Sequence, residues 1–227
     1  MKNKILLFIL PLFLTFQGNS QGTPAAWFEL GFSKELVKNL KVEFNPELRL
    51  QGDYKMDSYI LEGGLSYKVI KYLTIASYYR YEDAWDYKKK TGAYKGQLKL
   101  NRLAFDIKPE IEWYRFNFQL RLRYTNGLFE YNNVAEFRYR AKIEYNIKGI
   151  KMVPFASVEL FQDNSISELD MELISGPLKN IYKIRYTAGL GYDFNKNNSA
   201  SLFYRLQENR IKNSYINILG LGYNHDF

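Results

Sequence analysis

The chain has 227 residues, enough for one large domain, and no Pro/Gly/Ser-rich linker divides it. It contains no cysteine and a single histidine, His225, which excludes disulfides, thiolate metal sites and a lipid-modified N-terminal cysteine and leaves a catalytic histidine without an obvious partner. The formal charge is +8, and aromatic residues reach 17%, a bias that favours strands and suits a boundary between water and lipid.

The N-terminus reads MKNKILLFILPLFLTFQGNS. Lys2 and Lys4 form a basic start, Ile5 to Phe16 an apolar stretch, and Gly18 and Ser20 put small residues before Gln21. This predicts a cleavable secretory signal over residues 1–20 and one mature domain over 21–227. The apolar run is shorter than the roughly 20 residues a spanning helix needs.

From Trp27 onward the pattern has period two, the signature of strands whose side chains point alternately to opposite faces. Trp27 to Lys34 places Phe28, Leu30 and Phe32 on one face, and Val37-Lys38-Asn39 turns the chain. Leu40 to Leu50 alternates apolar residues with Lys41, Glu43, Asn45, Glu47 and Arg49. After a polar loop, Gln51 to Asp57, come Tyr59 to Val69, a turn at Ile70 to Tyr72, and Leu73 to Tyr81. Glu82 to Gly96 reads as a long loop. Leu98 to Trp113 changes phase between Leu100 and Leu103, which predicts a β-bulge near Asn101.

Trp113 to Arg115 turns into Phe116–Tyr124, where Phe116, Phe118, Leu120, Leu122 and Tyr124 oppose Asn117, Gln119, Arg121 and Arg123. A loop, Thr125 to Asn133, leads to Val134–Ile147, the most regular stretch of all. Phe137, Tyr139, Ala141, Ile143 and Tyr145 face one way, and Glu136, Arg138, Arg140, Lys142 and Glu144 the other. Lys148 to Lys151 turns into Met152–Phe161, and Gln162 to Asn180 is the longest loop. Ile181 to Phe194 carries Tyr182, Ile184, Tyr186, Ala188, Leu190 and Tyr192 on one side. Asn195 to Asn198 turns into Ser199–Gln207, and Tyr215 to Phe227 ends the chain.

Tight and longer connections alternate, as they do between the two rims of an outer-membrane barrel. A soluble barrel would turn its apolar faces inward. Here those faces are rich in Tyr and Phe near strand ends and free of charge at their centres, the distribution that two lipid interfaces and a bilayer core require. The expected fold is all-β: a transmembrane antiparallel up-and-down β-barrel in a bacterial outer membrane, with outer-membrane lipid as its surroundings. About eleven strands are legible. Single-chain bacterial barrels normally have an even number, so closure by 12 strands, or 10, is expected. An extra strand within Gln21–Trp27, an irregular first strand and a parallel closure are the three ways to reconcile the count.

The segments AWFELGFSKEL, FNPELRLQG, YILEGGLSYKV and the terminal GLGYNHDF resemble the DUF2490 family of small outer-membrane β-barrels, across nearly the whole mature chain. The resemblance implies fold and location and brings no activity with it. The terminal LGLGYNHDF looks like the signal read by the barrel insertion machinery, with Leu221, Tyr223 and Phe227 as its outward residues and His225 on the same face.

The inward charges are the only functional-looking constellation. Arg80, Arg102, Arg121, Arg123, Arg138, Arg140, Lys183, Arg185 and Arg205 fall in the outer half of the expected barrel; Glu110, Glu112, Glu144 and Asp193 lie near the opposite rim. The nine cations read as a lumen lining able to form an anion constriction for small anionic solutes. Because acids are interleaved, the same residues also read as a salt-bridged plug in a closed barrel that acts through its loops. An outer-membrane hydrolase is the third and weakest reading, since no Ser–His pair is placed for it. No catalytic, cofactor or metal residues are assigned, and Arg residues interleaved with acids on an inward face do not support nucleic-acid binding.

Overall fold

The computed structural model describes residues 24–87, 93–128, 135–163 and 180–227. The expected signal peptide, 1–20, and the centres of the loops expected at Glu82–Gly96, Thr125–Asn133 and Gln162–Asn180 lie outside the described residues.

Eleven strands follow one another: β1 (Ala25–Val37), β2 (Leu40–Leu50), β3 (Met56–Ile70), β4 (Leu73–Tyr87), β5 (Tyr94–Trp113), β6 (Phe116–Gly127), β7 (Glu136–Tyr145), β8 (Met152–Asp163), β9 (Ile181–Asp193), β10 (Asn198–Asn209) and β11 (Ser214–Asp226). Each pairs antiparallel with its neighbours in sequence, and β1 and β11 close the barrel by pairing in parallel, from Ala25↔Ile218 to Ser33↔Asp226. The expected twelve or ten strands are therefore not needed. An odd number closes without a free edge because the two end strands run in the same direction, and the parallel ladder satisfies the backbone groups that an open edge would expose.

The connections alternate between two rims. Among the described residues, Lys38–Asn39, Lys71–Tyr72, Tyr114–Arg115, 146–151 and 194–197 form the turn rim; 51–55 and 210–213, together with the C-terminal ends of β4, β6 and β8, mark the loop rim. Asn39 (φ 70°) and Tyr114 (φ 56°) take the left-handed conformation that lets two of the shortest turns close.

The polarity of a soluble barrel is inverted. Phe28, Leu30, Phe105, Ile107, Leu120, Leu122, Leu202 and Leu219 face outward and are exposed, while Glu62, Arg80, Asp106, Arg123, Arg138 and Glu159 face inward and are buried. Aromatic contacts gather at both ends of the outer surface. Tyr59 packs on Tyr81 and Trp85, and Tyr124 on Phe137, towards the loop rim; Phe116 packs on Tyr145, and Tyr192 on Phe194, towards the turn rim.

Three local expectations are corrected. The β4–β5 register runs without a shift from Leu73↔Pro109 to Asp86↔Gly96, so there is no bulge at Asn101. The phase change arises because the outward face turns polar at Asn101, Lys99 and Gln97, while Leu100 on the inward face is buried. For the same reason β4 and β5 extend well into the loop expected at Glu82–Gly96. β6 likewise continues to Gly127, beyond the expected end at Tyr124. Tyr182 does not join the outward tyrosines: Phe161 pairs with Lys183 and Gln162 with Ile181, so Tyr182 is the extra residue of a bulge, and its hydroxyl donates to the inward Glu136.

Two glycines make the inner packing possible. A Cβ on Gly220 would stand 2.0 Å from Cζ of Phe203, and one on Gly64 would stand 2.1 Å from the backbone oxygen of Ser77 and 2.5 Å from Cδ1 of Tyr78. Phe203 and Tyr78, both buried, lie across the barrel wall at these two places.

Candidate functional site

The lumen is built from the inward positions of adjacent strands, which the register brings into rows. One row runs Arg121↔Arg140↔Glu159↔Arg185 across β6 to β9, and the next, Arg123↔Arg138↔Phe161↔Lys183. The first contains three guanidinium groups and one carboxylate. The second contains four cation or ring positions and no acid, and β5 supplies Asp106 opposite Arg123.

Arg123 occupies the middle of the barrel. Its Nε and Nη2 donate to the two oxygens of Asp106 at 2.6 and 2.9 Å, and its Nη1 and Nη2 donate to those of Glu62 at 2.8 and 3.1 Å. This doubly bidentate arrangement satisfies both carboxylates and is among the strongest ion-pair geometries available to a buried group. Arg80 lies 3.4 Å from Glu62 on the loop side. On the turn side the Arg123 guanidinium rests over the ring of Tyr78, whose hydroxyl donates to Glu43 at 2.6 Å and accepts from Lys108 at 2.6 Å. Across the lumen, Glu159 accepts from Arg121 and lies 3.7 Å from Arg185, while Arg205 donates to Glu29 at 2.9 Å.

Cavities flank this layer. One of about 300 Å³ opens on the loop side and is lined by Arg49, Arg80, Glu82, Arg102, Glu136, Arg138, Tyr182, Lys183 and Arg185. Six of these side chains are cationic and two are carboxylates. Two cavities of about 440 and 780 Å³ open at the turn side; the smaller includes Arg121 and Arg140, the larger Asp193, Asn195, Asn197 and Asn224. The loop-side cavity shares no lining residue with either.

The nine cations singled out in the sequence thus face inward but do not form one constriction. Arg80, Arg102, Arg138, Lys183 and Arg185 line the loop-side cavity, Arg123 is locked in the middle layer, and Arg205 packs against Trp27 and Phe203. Arg121 and Arg140 line a turn-side cavity instead of lying in the outer half, because β6 runs on to Gly127 and β7 starts only at Glu136, which puts both residues mid-strand. Arg49, at the end of β2, also lines the loop-side cavity.

Sequence reading missed the rings. Trp27 and Phe161 point inward, and cationic side chains gather on them: Arg49 at 4.1 Å and Arg185 and Arg205 at 4.9 Å from the Trp27 ring centre, and Lys183 at 4.1 Å, Arg185 at 4.6 Å and Arg138 at 5.1 Å from that of Phe161. The available signal was phase. Phe161 sits two positions from Glu159, hence on the charged face, and Trp27 sits out of phase with Phe28, Leu30 and Phe32.

At the C-terminus, Leu221, Tyr223 and Phe227 share the outward face with His225. The His225 ring stacks edge-on to Phe227 at 4.3 Å, and its Nδ1 lies 2.8 Å from Oδ1 of Asn198, which also accepts from the Tyr223 hydroxyl at 2.6 Å.

Fold and lumen together define a class: a small closed β-barrel, apolar outside and ion-paired inside. Residues 25–217 match the family described as "Protein of unknown function (DUF2490)", and the chain belongs to that family. No curated protein matches it.

Proposed function

We propose that this barrel spans a bacterial outer membrane and provides a narrow path that prefers small anions, shut at its middle in the conformation described. The single observation that carries the anion preference is the loop-side cavity, with six cationic side chains against two carboxylates. Such a lumen attracts anions and repels cations before any specific contact forms.

The membrane setting is supported by the inverted polarity and the two aromatic zones. From Phe116 to Tyr124 a strand rises about 26 Å. At the roughly 40° tilt usual for membrane barrels this spans about 20 Å, comparable to the ~25 Å apolar band of such proteins. Outer-membrane lipid is then the outer partner, and the insertion machinery the partner during assembly.

A second reading is favoured by the middle layer. If the Arg123–Glu62–Asp106 ion pairs never part, the barrel is a closed structural element that acts through its loops. Planar-bilayer recordings under a potassium chloride gradient separate the two. A reversal potential of the sign set by chloride supports the path, and one set by potassium overturns it. Silence in both the wild type and Glu159→Gln establishes the closed barrel in its place.

A further inference from the structure

The loop-side cavity has a property that simple charge attraction does not use. Three of its five guanidinium groups are held by their faces. Trp27 and Phe161 lie under Arg49, Arg138 and Arg185. A guanidinium stacked on a ring keeps its in-plane N–H donors free to point elsewhere. One such donor is free: Arg49 donates through Nη2 to Glu47 at 2.5 Å, and its Nε is buried without a hydrogen-bond partner; Nε of Arg80, in the same wall, also lacks a hydrogen bond, although it lies 3.7 Å from a carboxylate oxygen of Glu82. Arg102 and Lys183, in the same wall, have no ion-pair partner among the described residues, whereas Arg138 has Glu136 and Arg185 has Glu159.

Buried donors without acceptors are uncommon and costly. The acceptor that satisfies several converging guanidinium edges at once is an oxyanion with more than two oxygens. A chloride ion has no directed lone-pair geometry to match them, and a monocarboxylate supplies two oxygens to at least four cationic groups. The volume, about 300 Å³, stands at the lower end of small-molecule sites and so requires a compact ligand. The residues in its wall belong to the inward face, so the phosphate of a bilayer lipid has no route to it from the outer surface.

We propose that the loop-side cavity is a binding site for a small, multiply charged oxyanion of the phosphate or phosphate-ester class, with Arg49, Arg80, Arg102 and Lys183 as its principal donors and the Tyr182 ring as an adjoining wall. The proposal rests on the anion reading above and gives it a ligand chemistry. Arg49, stacked on Trp27, supplies a fixed donor, and Arg102 and Lys183, which have no ion-pair partner among the described residues, supply positive charge.

Calorimetry on the folded, detergent-solubilised protein tests this, with inorganic phosphate, pyrophosphate and glucose 6-phosphate as probes against sodium chloride of matched ionic strength. Saturable one-site binding of at least one phosphate probe is expected, weakened tenfold or more by Arg102→Gln and by Lys183→Gln, and partly restored in Arg102→Lys. Lys196→Gln, at the turn rim, keeps the wild-type affinity, and heat-modifiable migration on gels verifies that each variant is folded. Heats equal to those of chloride, or undiminished binding in both lumen variants, overturn the site. Binding without bilayer current keeps the site and removes the path; chloride-selective current without saturable binding keeps the path and removes the site.

Discussion

Arg185, in the wall of the loop-side cavity, lies 3.7 Å from the carboxylate of Glu159, and the same carboxylate accepts a hydrogen bond from Arg121, in the wall of a turn-side cavity. One acid therefore stands between two basic chambers, and an anion following the proposed path would have to pass it. Glu159→Gln removes its charge at nearly constant volume and leaves Arg121, Arg140 and Arg185 uncompensated in one row. Anion conductance is expected to rise several-fold in bilayer recordings, with selectivity for chloride over potassium increased. Loss of the charged hydrogen bond is expected to cost about 2 kcal/mol in urea unfolding. Unchanged or lower conductance in a folded variant would remove Glu159 from the path.

Gly220 and Phe203 make a second pair that substitution can separate. A methyl group at Gly220 would collide with the Phe203 ring, since its Cβ would lie 2.0 Å from Cζ and 2.1 Å from Cε2. Overpacking of this kind typically costs about 1–3 kcal/mol. Gly220→Ala should therefore lower the unfolding midpoint in detergent. Adding Phe203→Leu should recover part of the loss, because the shorter side chain vacates the space. If Gly220→Ala is as stable as the wild type, close approach to Phe203 is not what this glycine provides.

How far the structure could be read from the sequence depended on where two-faced patterning is physically required. Phe116 to Tyr124 and Phe137 to Tyr145 alternate because one face must be apolar and the other need not be, and both were legible residue by residue. Where β4 and β5 rise beyond the apolar band, neither face is constrained. Lys99 and Gln97 could then point outward, and a continuing ladder looked like a loop. Closure was not legible either: parallel pairing of β1 with β11 depends on the meeting of chain segments nearly 200 residues apart, and no local pattern encodes it. In the site, the inward phase of each arginine was visible, but its partner was not. Arg123 finds Glu62 three strands away, and the face of Trp27 collects Arg49, Arg185 and Arg205 from three other strands.

Phe227 closes the outward row of β11 and is 67% exposed, with its only described ring contact to His225. A large apolar side chain so placed adds little to the packing of the finished barrel, which fits a role during assembly. Deleting Phe227 is expected to reduce the yield of heat-modifiable protein in the outer-membrane fraction while leaving the stability of the molecules that do fold close to wild type. Normal yield and rate would separate the terminal strand from the insertion signal.

The last prediction sets the two faces of β6 against each other. Leu120 and Arg121 are neighbours that point opposite ways: Leu120 is 51% exposed on the outer surface, and Arg121 is paired with Glu159 inside. In a membrane barrel, Leu120→Arg puts a charge opposite the bilayer core at a cost of about 2–4 kcal/mol, a large share of the ~5–15 kcal/mol that usually separates folded from unfolded domains. Arg121→Leu takes away one partner of Glu159 but leaves Arg185 beside the same carboxylate and a turn-side cavity next to the vacated position. Its cost should therefore fall below the ~3–5 kcal/mol of an ion pair broken in a dry interior. Denaturant unfolding from lipid vesicles is expected to rank Leu120→Arg as the more damaging. Equal costs would mean that the lumen around Glu159 is dry and the barrel shut along its length. A Leu120→Arg variant that folds into vesicles as well as the wild type would show that the outer surface of β6 does not meet lipid, and would overturn the membrane setting itself.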